Sequence, residues 1–437
     1  MAGDDIIEQL VAGVYDDPDG DGTLDTGVRS VVIADDIAGR EAALIAELDF
    51  GPHLMVVSDA TTREVLGRRI ERAVGGRFAV KPVVLGAQPH ADDRALAAVE
   101  AGIEDDTDGL IAVGSGTIND LCKAAAARAD LPYAVFGTAP SMNGYASATA
   151  SITVNGLKSS LPARAPVGVF LDVRVMAEAP LRMRRAGLAE CLVAGTAKPD
   201  WLLAHMVMQR PYREAPFAIL RDDEAAVATG AAAVVSGDME VIRHMARTLV
   251  LSGMGMTICG SSRPASQGEH LISHYIDMSR GPDEAAPYHG EQIAVTSLFM
   301  ARLQERILAD EEPPTLRLTN DSEDEILRRF GESLGRACWN ELSGKRLDQV
   351  GTDELNRRLI DQWPVIRTRI AAAARPADQL GAVLQAAGAP TRPGDLDWSD
   401  ERFAEACRHA REIRNRYTFL DFVAAAGRDP VAVVGAA

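Results

Sequence analysis

The chain has 437 residues, of which 47% are hydrophobic and 25% charged, and its formal net charge is −18. This length allows two or more domains with a large core, and the composition is typical of globular proteins. The acidic surface argues against nucleic acid or an anionic membrane as the main partner.

The N-terminus and the cysteines indicate a compartment. The acidic start MAGDDIIEQL lacks the features of a signal peptide, and we find no run of about 20 apolar residues that would insert into a membrane. The cysteines are odd in number and form no CxxC pair, which favours reduced thiols in the cytoplasm. They are Cys122, Cys191, Cys259, Cys338 and Cys407.

Residues 1–28 are predicted to form an acidic N-terminal extension. Asp17, Asp19 and Asp21 resemble the start of a calcium-binding loop. However, Val28 stands where such a loop needs a bidentate glutamate. We therefore predict a solvated acidic turn.

Residues 29–175 alternate short apolar runs with helical stretches. This alternation predicts an α/β dinucleotide-binding domain, with a parallel sheet covered by helices on both faces and ligands at the carboxyl ends of the strands. The predicted strands are 31–34, 54–58, 80–86, 109–115 and 133–138, and the predicted helices are 39–48, 60–74, 92–103 and 117–128.

The fourth strand runs into a glycine turn, GSGTIND, at residues 114–120. Gly114 and Gly116 let the backbone approach a phosphate closely, and the next helix offers free N–H groups. The motif lacks the usual GxGxxG form, and a tight turn without ligand is the alternative. Asp59, at the end of the second strand, could accept ribose hydroxyls; an equally good interpretation is a helix cap.

Small and hydroxylic residues form the loop 137–151, which suits close contact with a ligand. Residues 156–176 are predicted to form a hairpin and one more strand. Lys158 and Arg164 add positive charge there, and either could hold a substrate phosphate; solvated surface is the default for both.

Residues 176–437 are predicted to form an all-helical metal and substrate domain. The apolar run 225–237 is consistent with a homodimer or larger homo-oligomer, or with core packing. The predicted helices are 180–198, 199–210, 222–235, 237–253, 266–278, 289–309, 320–340, 352–375, 376–388 and 400–411.

Three of the eight histidines lie between Arg263 and Gln292. His270 and His274 share one face of a helix, and His289 opens the next helix. Two imidazoles and a carboxylate suit a divalent metal that acts as a Lewis acid. Because Glu190 interrupts an apolar helical stretch, we predict Glu190, His270 and His289 as ligands.

These motifs resemble the glycerol-1-phosphate dehydrogenases, within the superfamily of iron-type alcohol dehydrogenases and dehydroquinate synthases. The segments that carry the resemblance are VSDATT, VGSGTINDLCK, GTAPSMNGYAS, LDVRVMAEAP, SSRPASQGEHLISHY, HGEQIAV and IRNRYTFLDF. The resemblance implies a dehydroquinate synthase-like fold with its active site in the cleft between the two domains. It also implies NAD or NADP as cofactor, held by Gly114, Ser115, Gly116, Thr117, Asp120, Thr138, Ser141 and Ser147.

The resemblance further implies one metal, with zinc first and nickel or iron as alternatives, held by the three ligands above. His274 would lie close to the substrate. The expected reaction interconverts dihydroxyacetone phosphate and glycerol 1-phosphate, as part of glycerol phosphate and phospholipid metabolism. Arg263 and Lys158 would hold the phosphate, and a proton would pass through His274.

Two positions depart from the dehydrogenase pattern, which has Asp where this chain has Glu190 and Asn143. Glu190 and the spacing of Arg263, Gln267 and His270 favour an alternative, an NAD- and metal-dependent sugar-phosphate cyclase or lyase of the synthase type. The resemblance implies a substrate-contacting residue at position 143, where Asn143 can still hydrogen-bond a substrate hydroxyl but loses a charge and any role as a base. Asn143 is the one support for a third possibility, a binding protein without turnover.

Overall fold

The structure is a computed structural model, and it describes residues 5–154, 157–281, 284 and 286–435. These residues divide into two compact units. The first unit comprises Met1–Cys191 and Arg213–Ser262, and the second comprises Leu192–Tyr212 and Arg263–Ala437.

The strands of the described residues all lie in the first unit. They are β1 (Ser30–Ala34), β2 (His53–Asp59), β3 (Ala79–Leu85), β4 (Gly109–Gly114), β5 (Tyr133–Gly137), β6 (Thr149–Val154), β7 (Leu157–Pro162) and β8 (Gly168–Asp172).

The helices run through both units. The helices from the N-terminus to residue 258 are α1 (Ile6–Val11), α2 (Glu41–Ala46), α3 (Ala60–Thr62), α4 (Arg68–Gly75), α5 (Asp93–Glu100), α6 (Gly116–Arg128), α7 (Val173–Ala177), α8 (Leu181–Cys191), α9 (Ala194–Met208), α10 (Ala215–Ala218), α11 (Arg221–Thr229) and α12 (Met239–Ile258). The remaining helices are α13 (Gly268–Met278), α14 (His289–Leu308), α15 (Glu323–Phe330), α16 (Glu332–Ser343), α17 (Gln349–Ala373), α18 (Ala377–Ala386), α19 (Asp400–His409), α20 (Phe419–Ala425) and α21 (Pro430–Val434).

The main sheet confirms the predicted α/β class. Within the described residues it has six parallel strands in the order β1-β8-β5-β4-β2-β3. Every residue of β4, β5 and β8 is buried, as expected for parallel strands that are covered on both faces. Strands β6 and β7 form a separate antiparallel hairpin, which begins at Thr149 rather than at the predicted residue 156.

One predicted helix of the first unit, 60–74, is interrupted. The short α3 passes into a π-helical turn at Arg63–Gly67, and α4 starts only at Arg68. Gly67 is buried within this turn, where an added Cβ would lie 3.3 Å from the side chain of Arg63. Hydrophobic spacing alone does not distinguish such a turn from a regular helix.

Pro199 does not begin a helix, contrary to the predicted break between residues 198 and 199. It lies inside α9, and the chain breaks earlier, between α8 and α9. A proline in a helix leaves one carbonyl without its N–H donor four residues later. Here that carbonyl belongs to Gly195, and it accepts a hydrogen bond from the N–H of Arg375 at 3.0 Å. A tertiary contact therefore compensates the proline.

The predicted helix 320–340 is two helices, α15 and α16, separated at Gly331. This glycine has a φ of +79°, a conformation that other residues rarely adopt. The apolar spacing continues across the break, because Ile326 and Cys338 both point into the core of the second unit. The continuous hydrophobic pattern therefore concealed the turn.

Residues 18–22 of the acidic N-terminal extension form an exposed turn, as predicted, and two aspartates at this turn also contact the rest of the first unit. Asp17 and Asp19 form ion pairs with Arg213, and Asp19 also accepts the backbone N–H groups of Glu214 and Ala215 at 2.7 and 2.8 Å. The side chains of the two aspartates are 18% and 22% exposed. The extension therefore fixes the start of α10.

The predicted domain boundary near residue 175 coincides with the end of the last strand. The compact units divide later in the chain, because residues 213–262 belong to the first unit. Helix α12 packs against β1, α7 and α8, which keeps these helices in the first unit. Among the described residues, no helix is both long and apolar enough to cross a membrane.

Candidate functional site

The glycine turn joins β4 to α6 as predicted. Strand β4 ends at Gly114 and α6 begins at Gly116, with Ser115 between them. A Cβ on Gly114 would lie 2.6 Å from the side chain of Ile118, so only glycine fits there. Ser115, Gly116 and Thr117 are partly exposed at the N-terminus of a 13-residue helix. This turn can therefore present backbone N–H groups to a phosphate.

Lys123 is a buried lysine that the sequence analysis did not identify. Its side chain is 0% exposed, and its Nζ donates to Gly144 O at 2.7 Å, Ser147 Oγ at 2.8 Å and Thr149 O at 3.0 Å. Burial lowers its pKa, and the nearby Asp120 opposes this shift. The sequence signal that could have identified this buried lysine is its position inside the apolar run DLCKAAAA.

Asp120 and Ser147, both predicted to bind the cofactor, belong to this lysine network. Asp120 Oδ1 lies 3.4 Å from Lys123 Nζ, and its Oδ2 accepts the N–H of Ser151 at 3.1 Å. Ser147 is buried and donates to backbone carbonyls. Lys123 thus connects α6 to the loop and to the start of β6; the contacts of Asp120 and Ser147 with a cofactor stay predictions.

Replacement of Lys123 by methionine is expected to lower the free energy of unfolding by about 3 kcal/mol, because a buried charge partner is lost and three carbonyl or hydroxyl oxygens lose a donor. Denaturant unfolding measures this change. Lys81 is the matched control: it pairs with Glu104 at 2.6 Å but is 40% exposed, so Lys81→Met should cost less than about 1 kcal/mol. Equal losses for the two variants would contradict the prediction.

Asp59 caps a helix. Its Oδ1 accepts the N–H groups of Thr61 at 2.7 Å and Thr62 at 2.8 Å, and its own N–H donates to Thr62 Oγ1 at 3.0 Å. This reciprocal pair is a capping box. The structure thus shows the capping interpretation; ribose binding by Asp59 stays a prediction.

The loop after β5 is held by close approaches of two helices. A Cβ on Gly187 of α8 would lie 1.4 Å from the carbonyl oxygen of Pro140, and a Cβ on Gly253 of α12 would lie 2.8 Å from the N of Ala146. The loop also closes on itself, since the buried Tyr145 donates its hydroxyl to Ala139 O at 2.7 Å. Thr138 is buried and Ser141 is partly exposed in this loop.

Gly187→Ala is expected to abolish folding or to destabilise the protein by about 3 kcal/mol or more, because the methyl group would overlap a backbone carbonyl that cannot rotate away. Soluble yield and thermal unfolding test this. The control is Gly381→Ala on α18, where a Cβ meets nothing nearer than 3.7 Å. That change should stabilise by up to about 1 kcal/mol through helix propensity.

Asn143 contacts the predicted carboxylate ligand. Its Nδ2 donates to Glu190 Oε2 at 2.8 Å, and Glu190 is 1% exposed on α8. Two carboxylates at this distance would repel each other, so an amide at position 143 suits a glutamate at position 190. Direct contact of Asn143 with a substrate stays a prediction.

The three predicted histidines of α13 and α14 form a cluster in the second unit. The ring centroids of His270 and His289 are 5.0 Å apart. The ring centroid of His274 lies 5.8 Å from that of His270 and 5.6 Å from that of His289. His270 and His289 both lie in the first turn of a helix, as predicted: α13 begins two residues before His270, and α14 begins at His289.

Neighbouring side chains orient two of these rings. Glu269 Oε1 lies 2.9 Å from His270 Nδ1, and Ser273 Oγ lies 3.4 Å from His289 Nδ1 while donating to Gln292 Oε1 at 2.9 Å. If each Nδ1 carries the hydrogen, Nε2 is the atom left for a metal, as in carboxylate–histidine–metal sites. The sequence analysis missed Glu269 and Ser273.

Asp200 of α9 fixes the start of the histidine helix. Its two carboxylate oxygens accept the N–H of Gly268 and the N–H of Phe419, both at 2.9 Å. Burial raises the pKa of Asp200 to about 8, with the charge of Glu269 adding to the effect. This side chain therefore connects three separate segments of the second unit.

Arg263 lies in an arginine cluster, which we define as Arg263, Arg414 and Arg416. Its NH2 donates to Asn415 O at 3.4 Å, and Arg416 donates to Ser266. Burial, together with the charges of Arg414 and Arg263, lowers the pKa of Arg416 to about 9. Arg263 and Arg416 are both partly exposed, so an anion could reach this concentration of positive charge.

The two other predicted phosphate holders lie in or after the hairpin. Lys158 is in β7, in register with Thr153 of β6. Arg164 is 68% exposed and pairs with Asp130 at 2.7 Å. Arg164 is therefore solvated surface, whereas the role of Lys158 stays a prediction.

Comparison with known proteins places the chain in a family. A family model described as iron-containing alcohol dehydrogenase matches residues 32–180. Glycerol-1-phosphate dehydrogenase [NAD(P)+] from Pyrococcus furiosus is 36% identical over 276 residues, which cover 63% of this chain and 78% of the relative. The protein of the same name from Bacillus velezensis is 32% identical, over 67% of this chain and 79% of the relative.

Solved structures agree on the fold. Alcohol dehydrogenase from Oenococcus oeni has a TM-score of 0.60 at 14% identity, covering 90% of this chain and 94% of that one. Sulfoacetaldehyde reductase from Bifidobacterium kashiwanohense, solved with NAD+, has a TM-score of 0.57 at 16% identity, covering 90% and 95%. The sequence identities and the fold lead to one conclusion: this chain belongs to the glycerol-1-phosphate dehydrogenase family, among the iron-type alcohol dehydrogenases.

Proposed function

We propose that the chain catalyses the reversible, NAD(P)-linked reduction of dihydroxyacetone phosphate to glycerol 1-phosphate, with the help of one divalent metal. The observation that carries this proposal is the histidine cluster of α13 and α14, with Nδ1 of His270 and His289 held by neighbouring side chains. The names of the relatives at 32–36% identity support the same reaction.

The side chains fit a metal by their chemistry. We propose His270, His289 and Glu190 as ligands, since two oriented imidazoles and a buried carboxylate form a donor set used by zinc, nickel and iron. Zinc is our first choice. When bound, such an ion would polarise the substrate carbonyl and stabilise the negative charge that develops on its oxygen.

The protein's own groups prepare this chemistry. Glu269 would keep His270 in one tautomer, and Asn143 would hold Glu190 in one orientation. His274 would deliver a proton to the oxygen of the reduced carbonyl, either from its protonated ring or by relaying one from solvent through its neutral ring. The first two roles follow from side chains that a neighbour already holds, and His274 lies against both other rings.

The glycine turn would bind the dinucleotide. The partly exposed Ser115, Gly116 and Thr117 follow the buried Gly114, and the N-terminus of α6 would face the pyrophosphate. The predicted contacts of Thr117, Thr138 and Ser141 would extend this site along the loop. The nicotinamide supplies the hydride.

The arginine cluster would hold the substrate phosphate. Arg263 was proposed from the sequence, and the structure adds Arg414 and Arg416 as neighbours of like charge. Mutual repulsion is relieved when an anion binds between arginines, and a guanidinium matches phosphate geometry. A phosphorylated three-carbon ketone is therefore the substrate class that we propose.

An absorbance assay at 340 nm tests the function. Purified protein loaded with zinc, nickel or iron in turn is mixed with dihydroxyacetone phosphate and either NADH or NADPH. Steady oxidation of the nucleotide is expected, and the faster cofactor identifies the preference. Release of inorganic phosphate from a larger sugar phosphate, without net change of NADH, would instead indicate the synthase-type alternative, which the dehydrogenase relatives disfavour.

The proposal also covers the cellular location, the oligomeric state and the binding partners of the enzyme. We place it in the cytoplasm as a homodimer or larger homo-oligomer, with a small phosphorylated ketone or polyol as its partner rather than nucleic acid or membrane. The scattered cysteines and the acidic composition support this setting. Size-exclusion chromatography with light scattering measures the oligomeric state.

A further inference from the structure

A cavity in the second unit has a cationic lining that the proposed reaction does not use. It is a half-open pocket whose empty space of about 310 Å³ includes open solvent, and its lining residues come from the end of α16 and the residues after it, the segment before α15, residues 411 and 417, and α20. Its charged lining comprises Arg317, Lys345, Arg346, Arg411 and Asp421. In a chain with a net charge of −18, such a concentration of positive charge is unusual.

The inner part of the cavity is already neutralised. Lys345 is 4% exposed and pairs with Asp421 at 2.9 Å, and Arg411 pairs with Asp321 and lies 3.6 Å from Asp421. Two buried cations and two carboxylates therefore balance one another. These groups form the walls and do not themselves require a ligand.

The mouth of the cavity carries the excess charge. Arg317 is exposed, and among the described residues its side chain forms no ion pair. Arg346 stacks over the ring of Trp339 at 4.9 Å and lies 3.8 Å from Asp321, a carboxylate already engaged by Arg411. Both guanidinium groups are therefore available to an anion from solvent.

An unsatisfied hydroxyl completes the site. Tyr417 lines the cavity at 5% exposure, and within the described part of the chain its Oη has no hydrogen-bond partner. Burial raises the pKa of this phenol, so it stays a donor at neutral pH. A buried donor without an acceptor is unfavourable, and a bound acceptor relieves it.

We propose that this cavity is a binding site for a small oxyanion, a phosphate or a carboxylate group, held by Arg317 and Arg346 at the mouth and by the Tyr417 hydroxyl inside. The pocket adjoins the arginine cluster, since Lys345 donates to Arg416 O at 2.6 Å, but none of the three arginines of that cluster lines it. Tyr417 follows Arg416 in the extended segment between residues 413 and 419, and Arg416 contacts Ser266 whereas Tyr417 lines the cavity. The proposal therefore does not depend on the identity of the substrate.

Thermal unfolding of the full chain tests the site with inorganic phosphate and with succinate, each compared with chloride at equal ionic strength. Ligand binding to the folded state raises the melting temperature. We expect a rise with at least one of the two anions in the unmodified protein. A rise with phosphate alone or succinate alone identifies the preferred group.

Three variants locate the effect. All are compared in the Arg263→Ala background, which removes the proposed phosphate contact of the substrate site, and there the rise should persist. Adding Arg317→Ala and Arg346→Ala should abolish it, and adding Tyr417→Phe should weaken it while preserving the fold, since that hydroxyl makes no bond within the described protein. No rise in the Arg263→Ala protein, or an equal rise after Arg317→Ala and Arg346→Ala are added, would each overturn the proposal.

Discussion

Replacement of His270 by alanine is expected to lower kcat/KM for dihydroxyacetone phosphate by about 1,000-fold or more. The reason is that a Lewis acid supplies several kcal/mol of stabilisation to the developing alkoxide, and each 1.4 kcal/mol corresponds to a factor of ten in rate. Metal content, measured by elemental analysis of the purified variant, should fall together with activity.

The control is a second histidine that lies outside the cluster. His53, at the start of β2, is 47% exposed and close to Asp106 and Asp108. His53→Ala should keep both metal and activity. Full activity of the unmodified enzyme after complete metal removal by a chelator would contradict the metal-assisted mechanism, whatever the behaviour of the histidine variants.

Much of this candidate site was predictable because local sequence determines it. A strand that runs into Gly114-Ser115-Gly116 and then into a helix has few ways to fold, and His270 and His289 sit in the first turns of helices whose hydrophobic spacing is regular. The parallel sheet follows from the alternation of apolar runs and helices. Such features depend on residues that are neighbours in the chain.

The remaining features depend on contacts between distant residues. Pro199 can lie inside α9 because Arg375, 176 positions later, donates to the carbonyl of Gly195. Lys123 is buried because three oxygens from residues 144–149 surround it. A single sequence shows a proline or a lysine at such positions but not its partner, so a helix break and a surface residue were the natural expectations.

The departures from the family pattern have a similar explanation. Read separately, Glu190 and Asn143 each weakened the dehydrogenase interpretation. Their hydrogen bond at 2.8 Å shows that they form a pair: an amide donates to a carboxylate where two carboxylates would repel. The two departures therefore lie in contact with each other, and each suits the other.

Arg263→Ala is expected to reduce kcat/KM for dihydroxyacetone phosphate by about 100-fold, because hydrogen bonds to a charged group contribute about 1.5–3 kcal/mol each. The loss should appear mainly as a higher KM, since the phosphate is bound equally before and during hydride transfer. Dihydroxyacetone, which lacks the phosphate, should be reduced by the variant as slowly as by the unmodified enzyme.

Arg164 and Lys158 provide the comparison, because both were considered for the same role. Arg164→Ala should leave KM unchanged, since that side chain is solvated and paired with Asp130. If Lys158→Ala raises KM and Arg263→Ala does not, the phosphate is held at the hairpin and not by the arginine cluster. If Arg263→Ala slows both substrates equally, the arginine supports the structure near His270 rather than binding phosphate. The ratio of kcat/KM for dihydroxyacetone phosphate to kcat/KM for dihydroxyacetone therefore distinguishes a loss of phosphate binding from a loss of structure. A loss of activity with one substrate does not make this distinction.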